Sequence, residues 1–299
     1  MNLADAILDT LKQFNINVLI IERVFLVYTY NYNDTTICYW TYGDGRPMLI
    51  IHGWAIDHRF MENALEPIFE KYFMPIKRIY VDLPGMGLSQ AGSIKNGDGM
   101  VEALGNFMND LFPNDSLFLC GNSFGSVVCR GITARYTEKV AGMILIAPAK
   151  DRYDKNAKLP ECGVYTEDVD FVRSLPKEEE RAFLYMHANH TREVYDRYMT
   201  MVKPSIIINQ DNDFLHKTLK GTFGMDINKM IYKNHFEGPV LLMTGKYDMA
   251  VGYEEQKDWL KYFNDASYVV IDGAGHNINV DQPKAFEEAY VSFIKKKFL

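Results

Sequence analysis

The sequence predicts an α/β protein, with a mostly parallel sheet, helices on both faces of the sheet and a helical insertion. Six short apolar runs recur with helical stretches between them, at residues 48–51, 78–81, 117–120, 143–146, 240–243 and 268–271. This alternation is typical of parallel sheets that are covered on both faces. Glycine and polar residues follow the ends of most runs, and the alternation stops between Lys150 and Glu237.

Composition limits the classes of protein to be considered. The chain has 299 residues, of which 47% are hydrophobic, enough for one large domain or one domain with an insertion. The net charge of −7, without a basic stripe, argues against nucleic acid or an anionic membrane as a partner. The four cysteines form no C-x-x-C pair, which predicts reduced thiols and a cytoplasmic protein.

We expect neither a secretory signal nor a membrane span in the first 30 residues. Residues 1–15 carry Asp5 and Asp9 and lack a basic n-region, so a short amphipathic helix is predicted there instead. The apolar stretch at residues 18–30 is interrupted by Glu22 and Arg23 and is too short to cross a bilayer.

The remaining elements follow in chain order. Residues 37–42 predict an antiparallel edge strand, which a turn at residues 43–45 would join to the first apolar run in a hairpin. Residues 150–237 contain no clear strand and are rich in charge, tyrosine and methionine, so they predict a helical insertion. The core domain is then formed by residues 1–149 and 238–299. It ends in a helix at residues 283–298 whose last turn is rich in lysine, as suits a helix C-terminus.

The stretch GNSFG at residues 121–125 places Ser123 on a sharp turn between the third apolar run and a predicted helix. Such a turn holds the serine in strained backbone geometry with its hydroxyl exposed above the sheet. Gly121 and Gly125 leave room for the strand and the helix to approach each other.

Two further polar residues follow later runs. Asp248 comes after the run at 240–243, and His276 comes after the run at 268–271. The ligand crevice of an open parallel sheet lies at the carboxyl ends of its strands, so both are expected to lie near Ser123. A serine nucleophile needs a base, and the base needs a group that orients it. Singly, His276 is equally consistent with an ordinary loop histidine and Asp248 with a helix cap.

Five motifs in order, HGW, DLPGMGLS, GNSFG, TGKYD and DGAGH, resemble those of the α/β-hydrolase family. The resemblance covers roughly residues 37–299. It implies a serine hydrolase in which Ser123 is the nucleophile, His276 the base and Asp248 the orienting acid, with no cofactor and no metal. It also implies that residues 150–237 form a helical cap, or lid, over the active site, and that the backbone N–H groups of Trp54 and Phe124 form the oxyanion hole.

The expected substrate pocket is less well defined. His52, beside the oxyanion loop, and Tyr185, Tyr198 and Met201 of the insertion are its candidate residues. The tyrosines and methionines are at least as consistent with a small core inside the insertion. His187 and His190 lie three residues apart on a predicted helix, but no third ligand is evident, so a solvated face is favoured over a metal site.

The predicted reaction is cleavage of a small or medium acyl compound, such as a carboxylic ester, lactone or amide, through a covalent acyl-enzyme. The alternatives are a C–C bond hydrolase or aminopeptidase of the same fold, and a ligand-binding or signalling protein with little turnover. GNSFG resembles the elbow of meta-cleavage-product C–C hydrolases, but HGWAID and Asn277 depart from their HG-x-GPG loop and their tryptophan after the histidine. The expected partner is a small-molecule acyl substrate, and the expected state is a monomer or homodimer.

Overall fold

The computed structural model describes residues 27–149, 158–207, 214–215 and 235–299. The predicted helix at residues 1–15 and the apolar stretch before residue 27 lie outside these residues. The described strands, in chain order, are β1 (Tyr28–Tyr32), β2 (Thr35–Tyr42), β3 (Arg46–Ile51), β4 (Ile76–Val81), β5 (Leu117–Asn122), β6 (Val140–Ile146), β7 (Thr166–Glu167), β8 (Asn189–His190), β9 (Phe236–Gly245) and β10 (Phe263–Ile271).

Eight of these strands form one sheet in the order β1-β2-β4-β3-β5-β6-β9-β10, and β7 and β8 form a separate pair. From β4 to β10 every neighbouring pair is parallel, whereas β2 pairs antiparallel with both β1 and β4. Each of the six predicted apolar runs lies within a strand of this sheet, which confirms the predicted mostly parallel sheet.

The predicted hairpin at residues 43–45 is wrong. β2 is antiparallel, but it pairs with β4 and not with β3, to which the turn connects it. The hairpin in this region instead joins β1 to β2 through Asn33 and Asp34, with Asn33 at a φ of 52°. The sequence alone does not distinguish these arrangements, because β4 begins more than 20 residues after the end of β3 and yet lies between β2 and β3 in the sheet.

Helices cover both faces of the sheet. The described α-helices are α1 (His58–Tyr72), α2 (Gly97–Leu111), α3 (Phe124–Arg135), α4 (Val169–Ser174), α5 (Lys177–Met186), α6 (Arg192–Met201), α7 (Lys203–Ile207), α8 (Ile278–Asp281) and α9 (Pro283–Lys297). Alternate residues of β3 face opposite cores. Met48 and Ile50 pack in the cluster that includes α1 and α9, whereas Leu49 and Ile51 pack in the cluster that includes α2 and α3.

Residues 158–207, called here the helical segment, lie outside the large sheet. They contain α4 to α7 and the short β7–β8 pair. The starts of α4 and α6 follow local capping rules. The Asp168 side chain accepts the Phe171 N–H at 3.0 Å, and the Thr191 side chain caps α6. The helical content predicted for this part of the insertion is therefore observed in the described residues, together with two short strands that were not predicted.

Candidate active site

Ser123 lies between the last residue of β5 and the first residue of α3. Its φ of 50° and ψ of −115° place a non-glycine residue in a strained backbone region. A Cβ on Gly121 would lie 2.5 Å from the carbonyl oxygen of Gly125, and a Cβ on Gly125 would lie 2.3 Å from that of Ile51. The two glycines are required because strand and helix approach within a distance that excludes any side chain.

Hydrogen bonds hold this turn in place. The Ser123 N–H donates to the Ile146 carbonyl of the neighbouring strand at 2.8 Å. The Ser123 carbonyl accepts the N–H groups of Ser126 at 3.0 Å and Ala149 at 3.2 Å. Ser123 itself is half-buried, while the residues on either side of it are buried. The turn is therefore rigid and leaves the serine partly exposed.

His276 and Asp248 form a buried hydrogen-bonded pair at the ends of β10 and β9. His276 Nδ1 donates to Asp248 Oδ2 at 2.8 Å, and the two residues are 4% and 0% exposed. Asp248 Oδ1 accepts the N–H groups of Ala250 at 2.8 Å and Val251 at 3.0 Å. With Nδ1 as the donor, the neutral ring carries its acceptor lone pair on Nε2, the tautomer that a general base needs.

The loops that carry this pair are joined by backbone hydrogen bonds. Lys246 N–H donates to the Ile271 carbonyl at 3.0 Å, and Tyr247 N–H donates to the Ala274 carbonyl at 2.8 Å. A Cβ on Gly245 would lie 2.1 Å from the Gly275 carbonyl oxygen, so the two loops are in direct backbone contact. β5, β9 and β10 are parallel members of one sheet, and their carboxyl ends therefore lie at the same edge.

The two residues predicted to supply oxyanion N–H groups are neighbours in space. The rings of Trp54 and Phe124 meet edge to face, with centroids 5.1 Å apart and planes at 87°. Phe124 opens α3, and a Cβ on Gly53 would lie 3.3 Å from Ser123 Cβ. The loop after β3 thus packs directly on the serine turn. The role of the two N–H groups stays a prediction.

His52 occupies a position in the core, between two loops. It is 0% exposed, its Nδ1 donates to the Gly53 carbonyl at 2.7 Å, and its Nε2 accepts the Leu83 N–H at 2.9 Å. Burial lowers the pKa of His52 and keeps the ring neutral. Both ring nitrogens are engaged, so the packing favours a bracing role over the predicted place in the substrate pocket.

A second buried histidine–carboxylate pair lies at the start of α1. His58 Nδ1 donates to Asp82 Oδ1 at 2.8 Å, and the His58 backbone N–H donates to the same oxygen at 2.9 Å. Asp82 Oδ2 accepts the Leu88 N–H at 2.7 Å. Burial alone would raise the pKa of the Asp82 carboxyl, but His58 and the Leu88 N–H hold it below its usual value. The pair organises the DLPGMGLS loop.

The candidate pocket residues of the helical segment have different environments. Tyr198 is 1% exposed and packs against the rings of Phe183, Tyr195 and His187. Tyr185 is 53% exposed, and its hydroxyl donates to the Met249 carbonyl at 3.1 Å. The alternative that the insertion has a small core of its own therefore accounts for Tyr198. Met201 is half-buried and packs beside the first hydrophobic cluster.

The solvated face predicted for His187 and His190 is wrong. The residues are 1% and 4% exposed. His187 Nδ1 donates to the Phe183 carbonyl at 2.8 Å, and His190 Nε2 lies 3.0 Å from the His187 carbonyl. Within the described ranges, no group of three or more His, Cys, Asp and Glu residues could hold a metal ion. Both histidine rings lie within hydrogen-bond distance of backbone carbonyls of the same segment. The spacing of the two residues in the sequence does not predict these contacts.

One residue near His276 was not singled out from the sequence. Asp281 is buried, and its carboxylate accepts N–H groups from both the loop before His276 and the helical segment. The available signal was an acidic residue five positions after His276, but its place just before Pro283 is equally typical of a helix start.

Comparison with known proteins places this geometry in a family. A family model described as serine aminopeptidase, S33, matches residues 48–283. The chain belongs to this family. The matched range contains the serine turn, both loops of the His276–Asp248 pair and the helical segment. The protein is an α/β hydrolase.

Curated relatives and a solved structure agree with this assignment. The chain is 22% identical to a pimeloyl-[acyl-carrier protein] methyl ester esterase of Nitrosomonas europaea, over 84% of this chain and 96% of that protein. It is 21% identical to a 2-hydroxy-6-oxo-6-(2'-aminophenyl)hexa-2,4-dienoic acid hydrolase of Metapseudomonas resinovorans, over 85% and 86%. The structure of an α/β superfamily hydrolase from Oenococcus oeni PSU-1 has a TM-score of 0.78 and 22% identity, covering 90% of this chain and 98% of that one. None of the helices in the described ranges has the length and apolar character needed to cross a membrane.

Proposed function

We propose that the protein is a serine carboxylic ester hydrolase that cleaves a small or medium acyl compound through a covalent acyl-enzyme. The observation that carries this proposal is the buried His276–Asp248 pair, with its 2.8 Å hydrogen bond, at the same sheet edge as the strained Ser123 turn. This set of groups has the roles of a nucleophile, a base and an orienting acid. Esters, lactones and amides share the carbonyl that such a set attacks.

In the proposed reaction, Ser123 Oγ forms a bond to the substrate carbonyl carbon while its proton passes to His276 Nε2. His276 then gives that proton to the leaving oxygen or nitrogen as the bond to the carbonyl carbon breaks. Water attacks the resulting acyl-enzyme with His276 again acting as the base, and the acid leaves with Ser123 restored. Asp248 fixes the ring and stabilises the imidazolium that forms in each half-reaction.

The negative charge that develops on the substrate oxygen is assigned to the backbone N–H groups of Trp54 and Phe124. Support comes from the position of Phe124 at the first residue of α3 and from the packing of Trp54 on it. Fixed N–H donors of this kind are commonly worth about 3 kcal/mol each in the transition state.

We further propose that the helical segment is part of a cap that spans residues 150–237 and covers the site. Met186, the last residue of α5 in this segment, contacts the loop that carries His276, because the Met186 carbonyl accepts the His276 N–H at 3.0 Å. In this division residues 1–149 and 238–299 form the core domain. The cap selects the acyl group, and the core supplies the chemistry.

The family description supports a second candidate, an aminopeptidase with the same nucleophile. A panel that contains p-nitrophenyl acetate, butyrate and octanoate together with amino-acyl p-nitroanilides distinguishes the two. We expect turnover of the esters and none above background for the anilides. The reverse preference would replace the ester assignment with the peptidase. If no member of the panel is turned over and Ser123 does not react with a fluorophosphonate, the result would favour a ligand-binding protein over an enzyme.

A further inference from the structure

A buried carboxylate ties the loop that carries His276 to the helical segment. Asp281 is 4% exposed, and its Oδ2 accepts the N–H groups of Gly275 at 2.8 Å and Ala188 at 3.0 Å. Its Oδ1 accepts the backbone N–H and the side-chain Nδ2 of Asn189, both at 3.2 Å. Hydrogen bonds from N–H groups to an ionised carboxylate are charge-assisted, and removing the acceptor would leave buried donors unpaired.

Residues 272–277, called here the histidine loop, make further bonds to the same part of the segment. The Met186 carbonyl accepts the N–H groups of His276 at 3.0 Å and Asn277 at 3.3 Å. The Asn277 side chain donates to His187 Nε2 at 3.1 Å, since His187 Nδ1 is occupied as a donor to a carbonyl. Asn189 Nδ2 also donates to the Gly273 carbonyl at 2.6 Å. The histidine loop is thus held on both sides of His276.

The two backbones are packed too closely for one to shift independently of the other. A Cβ on Gly275 would lie 2.9 Å from both the Ala188 nitrogen and the Met186 carbonyl oxygen. Asp281 accepts hydrogen bonds from both backbone segments, at Gly275 and at Ala188, where they approach each other most closely. Loss of its carboxylate would leave the N–H groups of Gly275 and Ala188 without their acceptor, directly beside His276.

We propose that Asp281 is a positioning residue for the reaction, which acts by fixing the backbone of the histidine loop against the helical segment. This inference rests on the proposed function of Ser123 and His276. Asp248 orients the imidazole ring, whereas Asp281 sets where the backbone that carries the ring stands. A displacement of about 1 Å in a reacting group can cost on the order of 100-fold in rate.

The test compares Asp281→Asn with wild type on p-nitrophenyl butyrate. The Asn side chain keeps the size of Asp but presents an NH₂ group to N–H donors. We expect kcat to fall about 10- to 100-fold with KM changed less than about 2-fold, and the rate of fluorophosphonate labelling to fall by the same factor as kcat. Asp272→Asn is the matched control, because Asp272 is an exposed carboxylate of the same loop that pairs with Lys246. It should keep wild-type kcat.

The same substitution in a His276→Ala background separates positioning from stability. If Asp281 acts through His276, the substitution has no further effect on the residual labelling rate once the imidazole is gone. An equal fractional loss in both backgrounds would mean that Asp281 only keeps the protein folded, and would overturn the proposal. Should Asp281→Asn not fold, Asn189→Ala keeps the backbone N–H that donates to Asp281 but removes Nδ2, which donates to the same carboxylate and to the Gly273 carbonyl of the histidine loop. It should lower kcat about 3- to 10-fold, and an unchanged kcat would overturn the proposal. Wild-type turnover by His276→Ala would instead refute the proposed function itself.

Discussion

Among the residues that the structure describes, two buried histidine–aspartate pairs share the same 2.8 Å hydrogen bond, and we assign catalysis to one of them. In the Asp82 pair, the backbone and the ring of His58 both donate to one carboxylate oxygen, and the ring stacks on Trp40 with centroids 3.4 Å apart. In the Asp248 pair, the carboxylate accepts N–H groups from its own loop, and the ring belongs to a loop beside the serine turn.

The pairs differ in where the histidine lies. His58 Nε2 faces Glu62 Oε2 at 3.8 Å, on the same helix, so its ring is enclosed by structural partners. His276 follows the strand at the end of the sheet, where the carboxyl edge also presents Ser123. A short hydrogen bond from histidine to a carboxylate therefore does not by itself define a catalytic pair.

The largest predicted effect separates the pairs by activity. His276→Ala should reduce kcat per folded molecule for p-nitrophenyl butyrate by about 10⁴- to 10⁶-fold. His58→Ala should retain wild-type kcat per folded molecule but lose about 3–5 kcal/mol of stability, since it leaves Asp82 buried without its partner. Steady-state kinetics and urea unfolding of both variants measure this. Loss of kcat in folded His58→Ala, or its retention in His276→Ala, would reverse our assignment.

The helical segment offers a second contrast, between an exposed and a buried tyrosine. Tyr185→Ala should shift the ratio of kcat/KM for butyrate and octanoate esters by about 10- to 200-fold if its face meets the acyl group. Tyr198→Ala should instead destabilise the protein by about 3–5 kcal/mol, because it removes a buried ring from an aromatic cluster and leaves a cavity there. Chain-length profiles and unfolding curves for the two variants distinguish these results. An unchanged profile for Tyr185→Ala would assign selectivity to the core loops, with Trp54 and Phe124 the first side chains to examine.

Sequence reasoning located the elements that follow from local pattern and failed for those set by distant partners. The six apolar runs, the Ser123 turn and the helical content around α5 and α6 were predicted because periodicity and turn chemistry are local. The pairing of β2 with β4 depends on a strand that is inserted from elsewhere. The burial of His187 and the contacts of Asp281 depend on how the helical segment packs on the histidine loop. A single sequence has no local pattern that predicts this packing.

The smallest predicted effect concerns stability at mildly acidic pH. Burial lowers the pKa values of His52 and His187, so the folded protein binds protons less readily at these residues than the unfolded chain does. Their contribution to stability is present above about pH 6.5, the unfolded histidine value, and is lost as pH falls through the lower folded values. Asp281, His190 and His276 are the titratable neighbours of His187.

The free energy of unfolding should therefore decrease between pH 7.5 and pH 5, and His187→Gln should reduce that decrease. Urea unfolding across this range measures the slope, and His235→Gln is the control because His235 is exposed. An identical pH dependence in wild type and His187→Gln would show that this histidine does not contribute.

The central claim is that Ser123 is the nucleophile, and a direct measurement is active-site labelling with a fluorophosphonate followed by peptide mass spectrometry. We predict one phosphonate per chain, attached to the peptide that contains Ser123, together with loss of ester turnover in proportion to labelling. Ser123→Ala should neither react nor turn over esters, while its circular dichroism and unfolding curve remain those of wild type. Labelling of a different residue, or turnover by Ser123→Ala above about a tenth of the wild-type rate, would contradict the account.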